Sequence, residues 1–133
     1  LMEVERSDES SEVRTMSSVL LVSTHFDDNL EIATMPWAVG NAALAEDKKV
    51  SIFLQGLSVR EAKKNETKGL RFPPFPSLDT LREAFLEAGG KIYVCAPCLK
   101  AHAIEADELI EQAEVAGAAF LMELAEGSVI FTY

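Results

Sequence analysis

Short apolar runs alternate with segments of helical pattern along most of this chain. The run Val19 to Val22 is apolar without interruption, which is typical of a strand buried on both faces of a parallel sheet. The pattern predicts strands at 19–22, 50–54, 91–94, 114–116 and 128–133. It predicts helices at 30–45, 78–86, 97–103, 108–112 and 117–124. Because strands and helices alternate, we predict an α/β fold in which a mostly parallel sheet has helices on both faces.

Several polar residues and prolines suggest where these helices begin. Asp27 or Asp28 is expected to cap the first helix, Ser77 the second, and Asp107 the short helix before residue 112. Pro36 falls inside the first helix and predicts a kink or a late start there.

The first sixteen residues differ in character from the rest of the chain. Residues 1–16 are charged, rich in serine and without periodicity, which predicts a flexible acidic tail. Residues 17–133 are predicted to form a single domain. Hydrophobic residues make up 48% of the 133-residue chain, enough for a packed core rather than a disordered polymer.

The charge of the chain restricts its partners. The formal net charge is −10, which argues against direct binding to nucleic acid or to an anionic membrane, because phosphates would be repelled. No apolar run reaches the roughly 18 residues that a membrane-spanning helix needs. No secretory signal pattern follows the first residue, so we predict a cytoplasmic protein.

Parallel strands end at one edge of their sheet, and open α/β sheets bind ligands there. The segments that follow the first three predicted strands carry His25, Asp27, Asp28, Gln55, Arg60, Cys95 and Cys98. Residues 56–76 are predicted to be mostly loop, with one helical turn near 59–64. A loop of this length serves as a lid, a rim or a subunit contact, or is a surface excursion.

Cys95 and Cys98 are the two cysteines of the chain and lie three residues apart. Cys95 ends a predicted strand, and Pro97 fits the first position of the helix that follows. A helix N-terminus lowers the pKa of a nearby thiol, so Cys95 is predicted to be the nucleophile. Cys98 is predicted to resolve a mixed disulfide or a persulfide. The alternative is that both are inert core thiols, since free cysteine is among the most buried residue types.

The run Cys95-Ala-Pro-Cys98 resembles the motif of thioredoxins, but it comes later in the chain than in that fold. A metal site is not predicted, because Cys95, Cys98 and His102 give three ligands and a structural zinc takes four unless His25 lies close. No phosphate-binding or dinucleotide-binding glycine motif is present, so no cofactor is predicted. His25 and His102 are candidates for proton transfer.

Residues 18–133 resemble the DsrE/DsrF-like family, which includes YchN-like and TusD-related proteins. The resemblance is carried by Lys91 to Cys95 and the helix after them, and by the segments 19–22, 107–110, 115–117 and 121–131. It implies a three-layer α/β/α domain with a five-stranded parallel sheet, in homo- or hetero-oligomers that are commonly trimers or hexamers. For this chain we expect a homotrimer or homohexamer. In relay members a cysteine at the end of the third strand carries sulfur as a persulfide. Cys95 matches that position, whereas Cys98 has no counterpart in the relay subunit.

The favoured hypothesis is therefore a sulfur carrier or sulfurtransferase-like protein, with a persulfide on Cys95. Its partners would be further copies of the chain and proteins that donate or accept sulfur. Two alternatives stay open: a non-catalytic oligomeric binding module with structural cysteines, and a thiol-disulfide oxidoreductase that uses Cys95 and Cys98.

Overall fold

The structure is a computed structural model and describes residues 17–133. The predicted tail at 1–16 lies outside the described residues. The strands are β1 Ser18–Ser23, β2 Lys49–Leu54, β3 Lys91–Cys95, β4 Ala113–Ala116 and β5 Ser128–Thr132. The α-helices are α1 Leu30–Ala45, α2 Leu78–Glu87, α3 Ala96–Ala101 and α4 Ala118–Ala125. Two 3-10 helices cover Gly56–Ala62 and Ala106–Glu108.

The five strands form one sheet in the order β4-β3-β2-β1-β5, and every neighbouring pair is parallel. The steps from β1 to β2 and to β3 run in one direction, whereas the step from β4 to β5 runs back across the sheet. Right-handed crossovers then place α4 on the face opposite α1 and α2. Phe120 of α4 packs on Tyr93 of β3 there, with ring centroids 4.8 Å apart. The predicted three-layer α/β/α fold with a five-stranded parallel sheet is confirmed.

Helix α1 begins at Leu30, so the late start predicted from Pro36 is wrong. Its N-cap is Asn29, whose side chain accepts a hydrogen bond from the Ile32 N–H at 3.1 Å. The predicted cap at Asp27 or Asp28 is therefore wrong as well. Three neighbouring residues had suitable side chains, and only the backbone geometry selects Asn29.

The predicted Ser77 cap is confirmed, since its hydroxyl accepts from the Thr80 N–H. The predicted helix near 108–112 is instead the short 3-10 turn Ala106–Glu108, and Glu105 rather than Asp107 caps it. Helix α3 ends at Ala101, two residues before its predicted end. Ala103 has a φ of 57°, which an α-helix cannot contain.

The core lies between the sheet and the pair α1 and α2, which pack on each other. Trp37 of α1 and Phe85 of α2 meet edge to face, with ring centroids 5.5 Å apart. Gly90 lies against the same ring, and a Cβ at that position would collide with Phe85. The chain therefore passes directly beneath an aromatic ring as it enters β3.

The C-terminal segment, residues 113–133, is packed differently. No residue of β4, α4 or β5 is fully buried. Its exposed large apolar side chains are those of Val115, Met122, Val129, Ile130 and Phe131. The 3-10 helix Gly56–Ala62, by contrast, packs against β2, β3 and α3. None of the helices among residues 17–133 combines the length and the apolar character needed to cross a membrane.

Candidate thiol site

The two cysteines lie at the carboxyl end of β3, at the sheet edge where the sequence placed them. Cys95 is the last residue of the strand, and Cys98 lies within α3. Both are free thiols. Cys95 is also the N-cap residue of α3, and Pro97 and Cys98 lie in the first turn of that helix.

The Cys95 thiol is buried, with 8% of its surface exposed. Burial raises its pKa, and the neighbouring Cys98 thiol raises it further, while a hydrogen bond from the Cys98 backbone N–H acts the other way. The sequence predicted a lowered pKa from a helix N-terminus. That effect does not win here, because α3 has only six residues and the sulfur lies inside the core. Burial therefore disfavours the thiolate form of Cys95.

Cys98 is half-buried and has a backbone donor aimed at it. The Gly56 N–H donates to Cys98 Sγ at an N to S distance of 3.2 Å. Gly56 has a φ of 58°, a conformation that glycine adopts without strain. Gly56 lies two residues after the end of β2, so the turn from β2 into the 3-10 helix presents its N–H to the sulfur beside β3.

That 3-10 helix is fixed at both ends. The Ser58 hydroxyl donates to the Ser23 carbonyl at the end of β1 and to the Gln55 carbonyl at 2.7 Å. At the other end the Ile110 N–H donates to the Ala62 carbonyl at 2.8 Å. The donor that faces Cys98 therefore belongs to a braced segment and not to a free loop.

His25 lies at the same sheet edge but is engaged with its own turn. Its Nδ1 is 2.7 Å from Asp28 Oδ2, and the Phe26 N–H donates to Asp28 Oδ1 at 2.8 Å. The Phe26 N–H and then His25 lower the pKa of Asp28. His25 follows β1, and β2 lies between β1 and β3, so the strands that lead to His25 and to the cysteines are about 10 Å apart. The structure brings His25 to the predicted edge without pairing it with a thiol.

His102 is the exposed C-cap residue of α3. Its backbone N–H donates to the carbonyls of Cys98 and Leu99 at 3.0 and 3.2 Å. Within residues 17–133, no group of three or more His, Cys, Asp or Glu side chains is arranged to hold a metal ion. The two histidines and the two cysteines are thus not brought together as one ligand set.

The sequence reasoning missed Glu61, which is fully buried in the 3-10 helix. Its Oε1 accepts a hydrogen bond from Trp37 Nε1 at 2.7 Å, and its Oε2 has no hydrogen-bond partner among residues 17–133. Burial raises the pKa of Glu61 well above its ordinary value, which the Trp37 hydrogen bond and the Arg82 charge only partly offset. The sequence gives no sign of this burial, because residues 59–64 predict only one helical turn within a loop.

The sequence analysis also gave Gly56 no role, although a glycine just after a buried strand marks a position where the backbone can turn sharply. Arg60 was expected at this edge and is found with its guanidinium over the Phe26 ring, 5.6 Å from the centroid. Arg60 also pairs with Glu66, with Nη2 to Oε1 at 2.8 Å.

A concave region of about 600 Å³ lies at the opposite edge of the sheet, away from the cysteines. It is lined by residues at the strand starts, among them Ser18, Lys49, Lys91 and Ser128.

The DsrE/DsrF-like family matches residues 17–131. The chain is 31% identical over 126 residues to the uncharacterized protein MJ0760 of Methanocaldococcus jannaschii, covering 94% of the chain and 46% of that protein. The chain thus spans about half the length of this relative.

Solved structures share the fold at low identity. The ychN protein from E. coli superposes with a TM-score of 0.69 at 12% identity, covering 89% of this chain and 99% of that one. A protein of unknown function from Methanobacterium thermoautotrophicum gives 0.65 at 13% identity, with coverage of 89% and 99%. One from Bacteroides thetaiotaomicron gives 0.60 at 19% identity, with coverage of 88% and 95%. At these identities the likeness concerns the fold alone.

Proposed function

The chain belongs to the DsrE/DsrF-like family, and from that premise we propose that it is a sulfur carrier that holds sulfane sulfur as a persulfide on Cys95. The observation that carries the proposal is the pair of free thiols at the carboxyl end of β3, the sheet edge where α/β proteins place their reactive groups. The family is associated with sulfur relay, and Cys95 occupies the position of the relay cysteine in the resemblance.

The chemistry needs no cofactor. A thiolate of the chain attacks the outer sulfur of a donor persulfide R–S–SH, a new S–S bond forms, and the donor leaves as the thiolate RS⁻. The carrier persulfide then reacts in the same way with an acceptor thiol. No net oxidation occurs in either transfer, because the sulfane sulfur keeps its oxidation level. His25, whose ring is oriented by Asp28, and the exposed His102 remain our candidates for moving protons at this edge.

The partners follow from the same proposal. Sulfur donor and acceptor proteins would approach the carboxyl edge of the sheet. Further copies of the chain would cover the exposed apolar side chains of the C-terminal segment, because β5 is an edge strand and Ile130 and Phe131 on it are 47% and 41% exposed.

Intact mass spectrometry tests the proposal directly. After incubation with thiosulfate or a protein persulfide, the chain should gain about 32 Da per sulfur atom, and dithiothreitol should remove the gain. Peptide mapping should place the stored sulfur on Cys95, and a Cys95→Ser, Cys98→Ser double variant, shown to be folded by its unfolding curve, should not gain the mass. If no donor gives the adduct, the carrier proposal fails and a binding module is favoured.

A thiol-disulfide oxidoreductase is the second candidate, favoured by the closeness of the Cys98 thiol to Cys95. It predicts a different product. Oxidised glutathione would convert the pair to an intramolecular disulfide with a loss of about 2 Da, and the oxidised chain would reduce again with a defined potential. A chain that takes up sulfane sulfur but resists this conversion would support the carrier.

A further inference from the structure

Resting on the proposed function, we infer that Cys98 is the thiol that first receives sulfur from the donor, and that it passes the sulfur to Cys95. The sequence assigned the attacking role to Cys95 and the resolving role to Cys98. The geometry of the two thiols reverses that order.

The two cysteine sulfurs differ in how accessible they are to a sulfur donor. An attack on a persulfide requires the thiol to reach the outer sulfur in line with the bond that breaks. Cys95 has 8% of its surface exposed and lies in the core cluster, whereas Cys98 is half-buried at the rim of that cluster. A bulky donor meets Cys98 first.

The two sulfurs also differ in the backbone N–H groups that face them. The Gly56 N–H points at Cys98 Sγ, with the nitrogen 3.2 Å from the sulfur, and the hydrogen bonds of the 3-10 helix hold Gly56 in place. An N–H aimed at a sulfur stabilises negative charge there. The Gly56 N–H therefore stabilises Cys98 when it attacks as a thiolate and again when it leaves as a thiolate. Cys95, by contrast, is a thiol whose burial disfavours the charged form.

The reaction balances in two steps. In the first, the Cys98 thiolate attacks the outer sulfur of a donor R–S–SH, the donor S–S bond breaks, and Cys98–S–SH and RS⁻ are formed. The leaving RS⁻ takes up the proton that Cys98 lost. In the second, Cys95 Sγ attacks that outer sulfur, the Cys98 S–S bond breaks, and Cys98 leaves with the electron pair. The proton lost by Cys95 goes to Cys98, so this second step needs no further acid, base or redox partner. The sulfur ends on the more deeply buried thiol, where water and reductants reach it less readily.

Rapid quench with an alkylating agent, followed by peptide mapping, tests the order. In the native chain with a small persulfide donor, the adduct should appear at Cys98 before it appears at Cys95. Cys98→Ser should take up sulfur at least tenfold more slowly than the native chain. Cys95→Ser should accumulate the adduct at Cys98 and fail to pass it on.

Gly56→Ala provides a test that keeps both cysteines. The φ of 58° at Gly56 strains an alanine, so the N–H should leave the sulfur and uptake should slow severalfold. Gly69→Ala is the matched control, since Gly69 has a φ of 76° with open space around it in the loop after the 3-10 helix. It should lose stability comparably and keep the native uptake rate.

The outcomes distinguish the inference from the proposed function. If the native chain takes up no sulfur from any donor, the proposed function fails. If it takes up sulfur with the adduct first at Cys95, or if Cys98→Ser loads at the native rate, the inference is overturned and the carrier function stands. Release of sulfide with a Cys95–Cys98 disulfide as the main product would also overturn transfer to Cys95.

Discussion

The C-terminal segment and the central part of the fold contain the same kinds of apolar residue in opposite situations. Phe85 and Ile52 are fully buried, whereas Phe131 and Ile130 are 41% and 47% exposed. Helices α1 and α2 pack on the central strands. Strand β5 lies at the edge of the sheet, and α4, the helix before it, has no fully buried residue. Because the fully buried large side chains lie in the central part, the folding free energy of one chain comes mainly from there. The apolar side chains of the C-terminal segment stay exposed on the single chain, and this is the surface that we propose another copy covers.

The largest effect is expected at Phe85. Phe85→Ala removes the ring that contacts Trp37 and should cost about 3–5 kcal/mol of unfolding free energy, measured by urea unfolding at low protein concentration. Phe131→Ala is the matched control and should cost about 1 kcal/mol or less. Equal losses at the two positions would mean that the C-terminal segment is as well packed as the centre.

A second pair compares two glycines. Gly90→Ala places a Cβ against the Phe85 ring and should cost about 1–3 kcal/mol through the shift it forces. Gly117→Ala, at the start of α4, meets nothing within 4 Å and should leave the thermal midpoint nearly unchanged. If Gly90→Ala were neutral, the Phe85 ring would have room that the structure does not give it.

Glu61 should make stability depend on pH. Because its pKa is raised in the folded protein, its contribution is fully present below the ordinary carboxyl pKa of about 4.3 and is lost as pH rises toward the folded value. Glu61→Gln keeps an acceptor for Trp37 and cannot ionise, so its unfolding free energy should fall less over that range. Urea unfolding from pH 4 upward checks this.

The control for that experiment is Glu123→Gln, since Glu123 is an exposed residue of α4. Its pH profile should run parallel to that of the native chain. If the Glu61→Gln profile is parallel to the native one too, Glu61 does not carry the raised pKa that its burial implies.

The smallest effect on the single chain is expected at Ile130. Ile130→Lys should change the unfolding free energy by about 0.5 kcal/mol or less, because the side chain is half exposed. The same change should lower the mass measured by light scattering if copies of the chain cover β5. Glu87→Lys, at the exposed end of α2, should leave that mass unchanged. A native chain that is a monomer at all concentrations would contradict the assembly proposal.

Much of the fold was predictable because its signals are local. The apolar run 19–22 and the short run before Cys95 identify their strands, and alternation with helices implies a parallel sheet. The cap of α1 was not predictable, because Asp27, Asp28 and Asn29 all offer suitable oxygens. The 3-10 turn at 106–108 was mistaken for a helix since both have polar first turns.

The site divides in the same way. The place of Cys95 and Cys98 after β3 follows from sequence, and their roles remain predictions. The direction in which the Cys95 pKa is shifted could not be predicted from the sequence, because it depends on how deeply residues distant in sequence bury the sulfur. Glu61 was out of reach for the same reason, since its partner Trp37 lies 24 residues away.

The hydrogen bond from Gly56 to Cys98 also gives the site a reporter. The amide proton of Gly56 lies against the sulfur, so its NMR chemical shift depends on whether that sulfur is a thiol, a thiolate or a persulfide. The chemical state of Cys98 can therefore be followed in solution from a backbone resonance, without a label on either cysteine.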